Sequence, residues 1–266
     1  MDDAEDVIDW LDPHIPFVLD ELDPLPDLPD EPDASTSGSK VPTAASTSST
    51  PSASSAVSAP TSTLASTLSP GDIAKALGLT AENITMCADA NVRVDLSRYM
   101  RDPATGKAAG NAHYAPGRYP FVCQRLRHPR ATVLLFSSGK ITCVGVNREE
   151  DACAALIKFG EMLRRRGWAG ASVTTFAVRN IVLKANAGFP ISLARLARDH
   201  EKHCTWEPEL FPALFYKMDE PRAHFSVFSN GKLVIKGVTT VASAERALKA
   251  FYSILLKYQI LDLMCV

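Results

Sequence analysis

Histidine and cysteine most often carry chemistry in a chain of this size, yet their spacing here offers none. Cys87, Cys123, Cys143, Cys153, Cys204 and Cys265 include no Cys-x-x-Cys pair, so they read as reduced, structural and mostly buried thiols of an intracellular chain. His113, His128, His200, His203 and His224 form no metal-ligand grouping. His200 and His203 stand three residues apart just before Cys204, but a surface or partner-facing role suits them better than zinc, and no metal or cofactor is expected. Charge is more informative. Residues 1–33 carry thirteen Asp or Glu and no Lys or Arg, while the remainder carries 28 basic against 17 acidic residues, so the net charge of −2 divides into −13 and +11. A basic body with an acidic arm points to a polyanion or an acidic protein as the body's partner.

Two of the lysines close the same turn. The stretch 134–145, with Phe136-Ser-Ser-Gly-Lys140 at its middle, returns 92 residues later as 226–237, with Phe228-Ser-Asn-Gly-Lys232. In each copy two β-favouring runs flank a break that needs a residue tolerant of positive φ, the composition of a β-hairpin. Pro129-Arg130 and Pro221-Arg222 keep the same offset, so the duplication extends beyond the turn. Asn83-Ile84 and Asn180-Ile181 recur at 97 residues, as do Leu96 and Leu193. The change from 97 to 92 places about five extra residues in the first copy, and the turn-forming segment 101–107 is the expected insertion.

These elements give a domain plan. Residues 1–33 alternate acids with large apolar residues and prolines, an activation-type or folding-on-binding segment expected to be disordered. Residues 34–71 form a Ser/Thr/Ala/Pro linker, and 72–266 form the core, with one repeat at about 82–170 and the second at about 176–261. Each repeat reads as a strand, a short helix, several hairpin-joined strands and a long closing helix, expected at 149–166 and 243–258. In the first hairpin both parities are apolar (Val133, Leu135, Ile141 and Cys143; Leu134, Phe136 and Val144), so both sheet faces need a cover. The closing helices can supply only one. No segment is long and apolar enough to cross a membrane, and the acidic first residues do not resemble a signal peptide.

With these residues assembled, the chain resembles the TATA-box-binding protein family over about 82–256. The resemblance rests on Asn83-Ile84, Arg118-Tyr119, His128-Pro-Arg130, Leu135-Phe-Ser-Ser-Gly-Lys140, Arg179-Asn-Ile181, Phe189-Pro-Ile191, Glu207-Pro-Glu-Leu-Phe-Pro212 and Phe228-Ser-Asn-Gly-Lys232. It implies an α+β saddle of two pseudo-symmetric repeats, a curved antiparallel sheet with helices on the convex face and DNA under the concave one. Tyr119 with Phe136, and Phe211 with Phe228, are the implied wedges between base steps. Asn83 and Asn180 are the implied central readers of minor-groove acceptors. Arg125, Arg127, Lys140, Lys217 and Lys232 are the implied phosphate contacts, with Pro129-Arg130 and Pro221-Arg222 as further members. Thr85, Leu134, Thr142, Val144, Val182, Ser226, Val234 and Lys236 complete the implied DNA face. The loop residues Glu207, Glu209 and Leu210 are the implied contact for transcription factor IIB, with transcription factor IIA and TATA-binding-protein-associated factors as further partners.

Departures from the family pattern are concentrated. Thr85 replaces an aliphatic residue, Thr142 and Val144 exchange polarity, and Ser226 and Lys236 stand where an apolar residue and a threonine are usual. On the first long helix Cys153, Ile157 and Glu161 take places usually basic, although 164–166 remain three arginines. The expected function is that of a nuclear, non-enzymatic general transcription factor that binds and bends A·T-rich promoter DNA and nucleates preinitiation complex assembly. The alternative is a related interaction protein with altered DNA recognition that recruits transcription factor IIB. Related saddles occur in DNA-repair glycosylases, but those need a helical catalytic domain for which no residues remain.

Overall fold

A computed structural model of the chain describes residues 69–101, 106 and 110–260. The acidic segment 1–33, the linker up to residue 68, most of the expected insertion and residues 261–266 lie outside the described residues. The elements run α1 (Pro70–Ala76), β1 (Thr80–Asp89), α2 (Leu96–Tyr99), β2 (Ala112–Tyr114), β3 (Phe121–Leu126), β4 (Ala131–Phe136), β5 (Lys140–Val146) and α3 (Glu149–Arg165). The same series then repeats as β6 (Thr174–Asn186), α4 (Leu193–Asp199), β7 (Cys204–Thr205), β8 (Leu214–Met218), β9 (Ala223–Val227), β10 (Lys232–Val238) and α5 (Val241–Leu255). The described strands form one ten-stranded antiparallel sheet in the order β2-β3-β4-β5-β1-β6-β10-β9-β8-β7. That order reads as five strands and their mirror about the β1–β6 seam, so the two repeats share one open, curved sheet.

Alternation decides what each strand contributes. One parity supplies the core: Ile84, Met86 and Ala88 from β1, Val133 and Leu135 from β4, Ile141 and Cys143 from β5, and their counterparts from β6, β8, β9 and β10. The long helices cover this parity. Helix α3 turns Ala152, Leu156, Phe159 and Leu163 inward at spacings of three and four, and α5 does so with Ala244, Leu248, Phe251 and Leu255. The expected second helix thus starts two residues earlier, at Val241 under a Thr240 cap, and its tail from Leu256 to Tyr258 tightens into a 3₁₀ turn. Gly160 lets α3 pass close to Val173, since an added Cβ there would lie 2.4 Å from Val173 Cγ2.

Helix α1 begins in a full capping box, in which the Ser69 hydroxyl accepts from the Asp72 N–H and the Asp72 carboxylate accepts from the Ser69 N–H. The Ser69 hydroxyl also donates to the Asp72 carboxylate at 2.7 Å, and this bond, with that from the Ser69 N–H, holds the carboxyl below its usual pKa. Ile73 and Ala74 are buried as α1 packs on α5.

The duplicated turn is fixed by the backbone. Gly139 and Gly231 have φ of +93° and +87°, where L side chains are strained, and an added Cβ would lie 2.1 Å from the Val92 carbonyl oxygen and 2.4 Å from that of Phe189. Both reasons apply in both copies, so the two Ser-x-Gly-Lys signals mark the same packed corner. We expect Gly231→Ala to destabilise the fold by about 2 kcal/mol or more. Gly117→Ala, with nothing within 4 Å of its Cβ, should stay within about 0.5 kcal/mol of wild type in urea unfolding. Equal midpoints for the two variants would contradict the steric account.

Candidate nucleic-acid interface

The other parity of every strand faces away from the helices, and cross-strand pairing sorts it into rows. In the first repeat one row runs Cys87, Thr142, Leu134, Cys123, and the next runs Val144, Thr132, Arg125. The corresponding rows of the second are Lys184, Val234, Ser226, Phe215 and Lys236, His224, Lys217. Leu134, Thr142, Val144, Thr85 and Ser226 are buried although no helix covers them, because neighbours on the same face tile over them. Val182 and Val234 are half-buried beside the seam. Cys123 is buried, and that burial pushes its thiol up in pKa against the opposing Arg125 guanidinium, so it stays neutral near pH 7.

Aromatic rings gather at both ends of this face. Tyr119 stacks on Phe121 at 5.4 Å between centroids, and Phe121 meets Phe136 edge-on at 5.5 Å. In the second repeat Phe211 stacks on Phe215 at 5.5 Å and meets Phe228 edge-on at 6.3 Å. The third ring of each cluster differs in place and in sequence: Phe121 lies between Tyr119 and Phe136, whereas Phe215 lies outside the Phe211–Phe228 pair. Phe121 corresponds at the 92-residue offset to Ala213, and Phe215 corresponds to Cys123. Phe211 and Phe215 are 45% and 39% exposed, which leaves two large apolar rings facing solvent at one end. Lys236 Nζ lies over the Phe215 ring at 5.4 Å and the Arg118 guanidinium over Tyr119 at 5.3 Å.

At the seam the two asparagines are held identically. Gly145 N–H donates to Asn83 Oδ1 at 2.8 Å, and Gly237 N–H donates to Asn180 Oδ1 at 2.8 Å. Pairing shifts register beside both glycines, between Ile84 and Met86 and between Ile235 and Val238, so each Asn spans a bulge. Because a backbone N–H can only donate, the amide orientation is determined: the oxygen is engaged and the NH₂ carries the donors that remain. A strand-start asparagine that caps or turns its own backbone would have used the amide locally. These two instead cross to another strand and keep two donors available.

The basic residues expected to flank this face are placed around it. Arg127, Lys140, Lys217 and Lys232 are exposed and Arg125 is half-buried, while Lys184 is ion-paired with Glu82. Arg130 and Arg222 are exposed in the β3–β4 and β8–β9 turns, each after a proline in a cis peptide bond. Glu207, Glu209 and Leu210 form an exposed loop ahead of β8, with Leu210 79% exposed and the Glu207 carbonyl accepting from the N–H groups of Leu210 and Phe211. The neighbouring Trp206 Nε1 is buried without a hydrogen-bond partner. On α3, Cys153 Sγ lies 3.6 Å from Met86 Sδ, Ile157 is exposed and so is Glu161. Among the described residues no group of three or more His, Cys, Asp or Glu is arranged to hold a metal. The sequence reading omitted Phe121, Phe215, Lys184, His224, Cys87 and Cys123 from this face. Counting strict alternation outward from Phe136 and Phe228 across the paired strands would have found them.

Comparison with known proteins agrees with this geometry. The family model described as "Transcription factor TFIID (or TATA-binding protein, TBP)" matches residues 78–166 and 175–258, the two repeats. The TATA-box-binding protein of Caenorhabditis elegans is 36% identical over 199 residues, covering 74% of this chain and 56% of that protein. That of Acetabularia peniculus is 36% identical over 151 residues, covering 57% of this chain and 78% of its own length. The chain thus spans little more than half of the first relative. Among solved structures, Methanococcus jannaschii TBP superposes with a TM-score of 0.55 at 28% identity, over 67% of this chain and 98% of that one.

The asparagine geometry makes a separable prediction. In Asn180→Asp a carboxylate oxygen can still accept from Gly237 N–H, so hydrogen-exchange protection of that amide should persist. In Asn180→Ala it should fall about five- to tenfold, matching the loss of about 1 kcal/mol for one hydrogen bond. Equal protection in both variants would show that the side-chain oxygen does not hold the bulge.

Proposed function

Because the chain belongs to the TATA-binding protein family, we propose that its open sheet face binds the minor groove of A·T-rich promoter DNA and bends it. The observation that carries this reading is the matched pair Asn83 and Asn180, each oxygen tied to a bulge N–H and each NH₂ left as a donor at the seam. Minor-groove edges of A·T and T·A present only acceptors at N3 and O2, so two fixed donors at the centre suit such a duplex in either orientation. The aromatic clusters at the two ends supply wedges. Phe136 with Tyr119, and Phe228 with Phe211, would enter between base steps, with Phe121 packed between the first two rings and Phe215 stacked on Phe211. Unstacking and bending cost on the order of 1–10 kcal/mol, offset by apolar contact with the tiled face and by phosphate attraction at Arg125, Arg127, Lys140, Lys217 and Lys232.

This reading makes the protein a nuclear general transcription factor that works without catalysis. Glu207, Glu209 and Leu210 form the surface offered to transcription factor IIB, since the loop projects from the second repeat with its apolar tip exposed. Transcription factor IIA and TATA-binding-protein-associated factors are further partners in the same assembly. One observation favours the second reading, an interaction protein with weakened base recognition: Ser226, His224 and Lys236 make the second half of the face more polar than the first.

A bend-sensitive fluorescence titration on labelled A·T-rich and scrambled duplexes decides between them. Phe211→Ala and Phe228→Ala should each lower both affinity and bending, whereas Lys236→Thr should flatten the salt slope of log K by about one unit and leave bending intact. Binding without bending would favour the interaction-only reading. Charge reversal at Glu207 or Glu209 should weaken recruitment of transcription factor IIB to the bound duplex while sparing binary DNA affinity. Unchanged recruitment by both variants would remove the loop from the proposed contact.

A further inference from the structure

His224 lies midway along a row of the second repeat, at the position that Thr132 holds in the first. Its Cα pairs with Lys236 on β10 and with Lys217 on β8, and all three share the face turned away from the helices. The equivalent row in the first repeat is Val144, Thr132, Arg125, which contains nothing that titrates near neutrality. The ring is close to the central reader as well. A Cβ on Gly237 would fall 2.9 Å from His224 Cδ2, so the imidazole lies against the same bulge whose N–H holds Asn180. Phe215 and Ser226 are neutral neighbours on this face, and the charged Asp219, Glu220 and Arg222 lie in the β8–β9 turn.

Resting on the DNA reading above, we propose that His224 is a specificity-determining residue that takes up a proton when A·T-rich duplex docks on the second repeat. In the free protein Lys217 and Lys236, paired with His224 from the strands on either side, disfavour a third positive charge on the imidazole. In the complex, phosphates offset both lysines and a narrow A·T minor groove adds the negative potential that attracts Lys, Arg and His. The same cation faces a donor where guanine places its N2 amino group, so the charged state favours A·T over G·C beneath this half. The sign follows from linkage. A histidine pKa that is higher in the complex than in the free protein makes affinity rise as pH falls through the bound value and level off below the free value.

The test measures affinity of the full chain for an A·T-rich duplex at pH 7.5 and 6.0 at fixed ionic strength, for wild type and His224→Gln. Wild type should bind about three- to fourfold more tightly at the lower pH, and His224→Gln should change less than twofold, as expected for uptake of one proton. Replacing the A·T pairs under the second repeat with G·C should shrink the wild-type gain. Imidazole NMR signals of the wild-type protein give a readout independent of the variant's folding: the His224 ring should titrate about one unit higher on DNA than off it. Equal pH dependence in wild type and variant, or a ring that titrates alike in both states, would overturn the proposal while leaving DNA binding intact. Failure of wild type to bind the duplex at either pH would instead remove the DNA reading and this inference with it.

Discussion

The fold depends on one constraint: a sheet with side chains alternating between two faces, and helices enough to cover one. Burial of the parity carrying Val133, Leu135, Ile141 and their counterparts against α3 and α5 supplies the apolar driving force. The opposite parity is then obliged to be self-sufficient, and it is. Leu134, Val144, Thr142 and Ser226 are shielded by their own neighbours, and rings close the two ends. A face built this way is already packed without a ligand, so a docking partner need not assemble it.

Duplication sets the frame and leaves the chemistry free to diverge. Three backbone devices occur twice: the Gly139 and Gly231 corners, the Gly145 and Gly237 bulges, and the bonds to Asn83 and Asn180. Side chains on the open face do not follow this symmetry. Cys87, Leu134 and Cys123 in one half face Lys184, Ser226 and Phe215 in the other. Positions held by backbone geometry tolerate only one residue type, whereas positions on the open face are constrained by what binds there. The two halves therefore present chemically different surfaces on the same scaffold.

Much of this was legible because the signals were local. The 92-residue offset, the positive-φ turns and the Asn-Ile pair specify a duplicated hairpin protein without any tertiary information, and the two-faced apolar pattern foretold an uncovered face. What was not legible depends on register across strands. Phe121 and Phe215 escaped notice because they sit at inequivalent positions, so comparison of the repeats cannot reveal them. The asparagine bonds escaped because they cross a bulge, which breaks simple counting. Sequence spacing gives His224 no metal-ligand grouping, and only the pairing of β8, β9 and β10 sets it between two lysines.

The buried polar groups show how the first repeat absorbs its longer loop. Gln124 sits on the core side of β3, where its Oε1 accepts from the Tyr99 hydroxyl at 2.9 Å and its Nε2 donates to the carbonyls of Asn111 and Arg125 at 3.1 Å and of Gly110 at 3.4 Å. The amide is therefore fully satisfied, and its partners Gly110 and Asn111 are the residues at which the described chain resumes after the insertion. Burial pushes the Tyr99 pKa up to about 12, with the Arg166 guanidinium opposing, so the hydroxyl remains a donor throughout the neutral range. At the equivalent position the second repeat carries Tyr216, whose hydroxyl meets His200 Nδ1 at 3.2 Å and which has no longer loop to fasten. One location in the frame thus holds a polar group in both copies, but only in the first does it pin a returning loop to an edge of the sheet. A half-satisfied amide there would cost about 1–3 kcal/mol, which accounts for the pairing of a buried Gln with a buried Tyr where two apolar residues would pack as well.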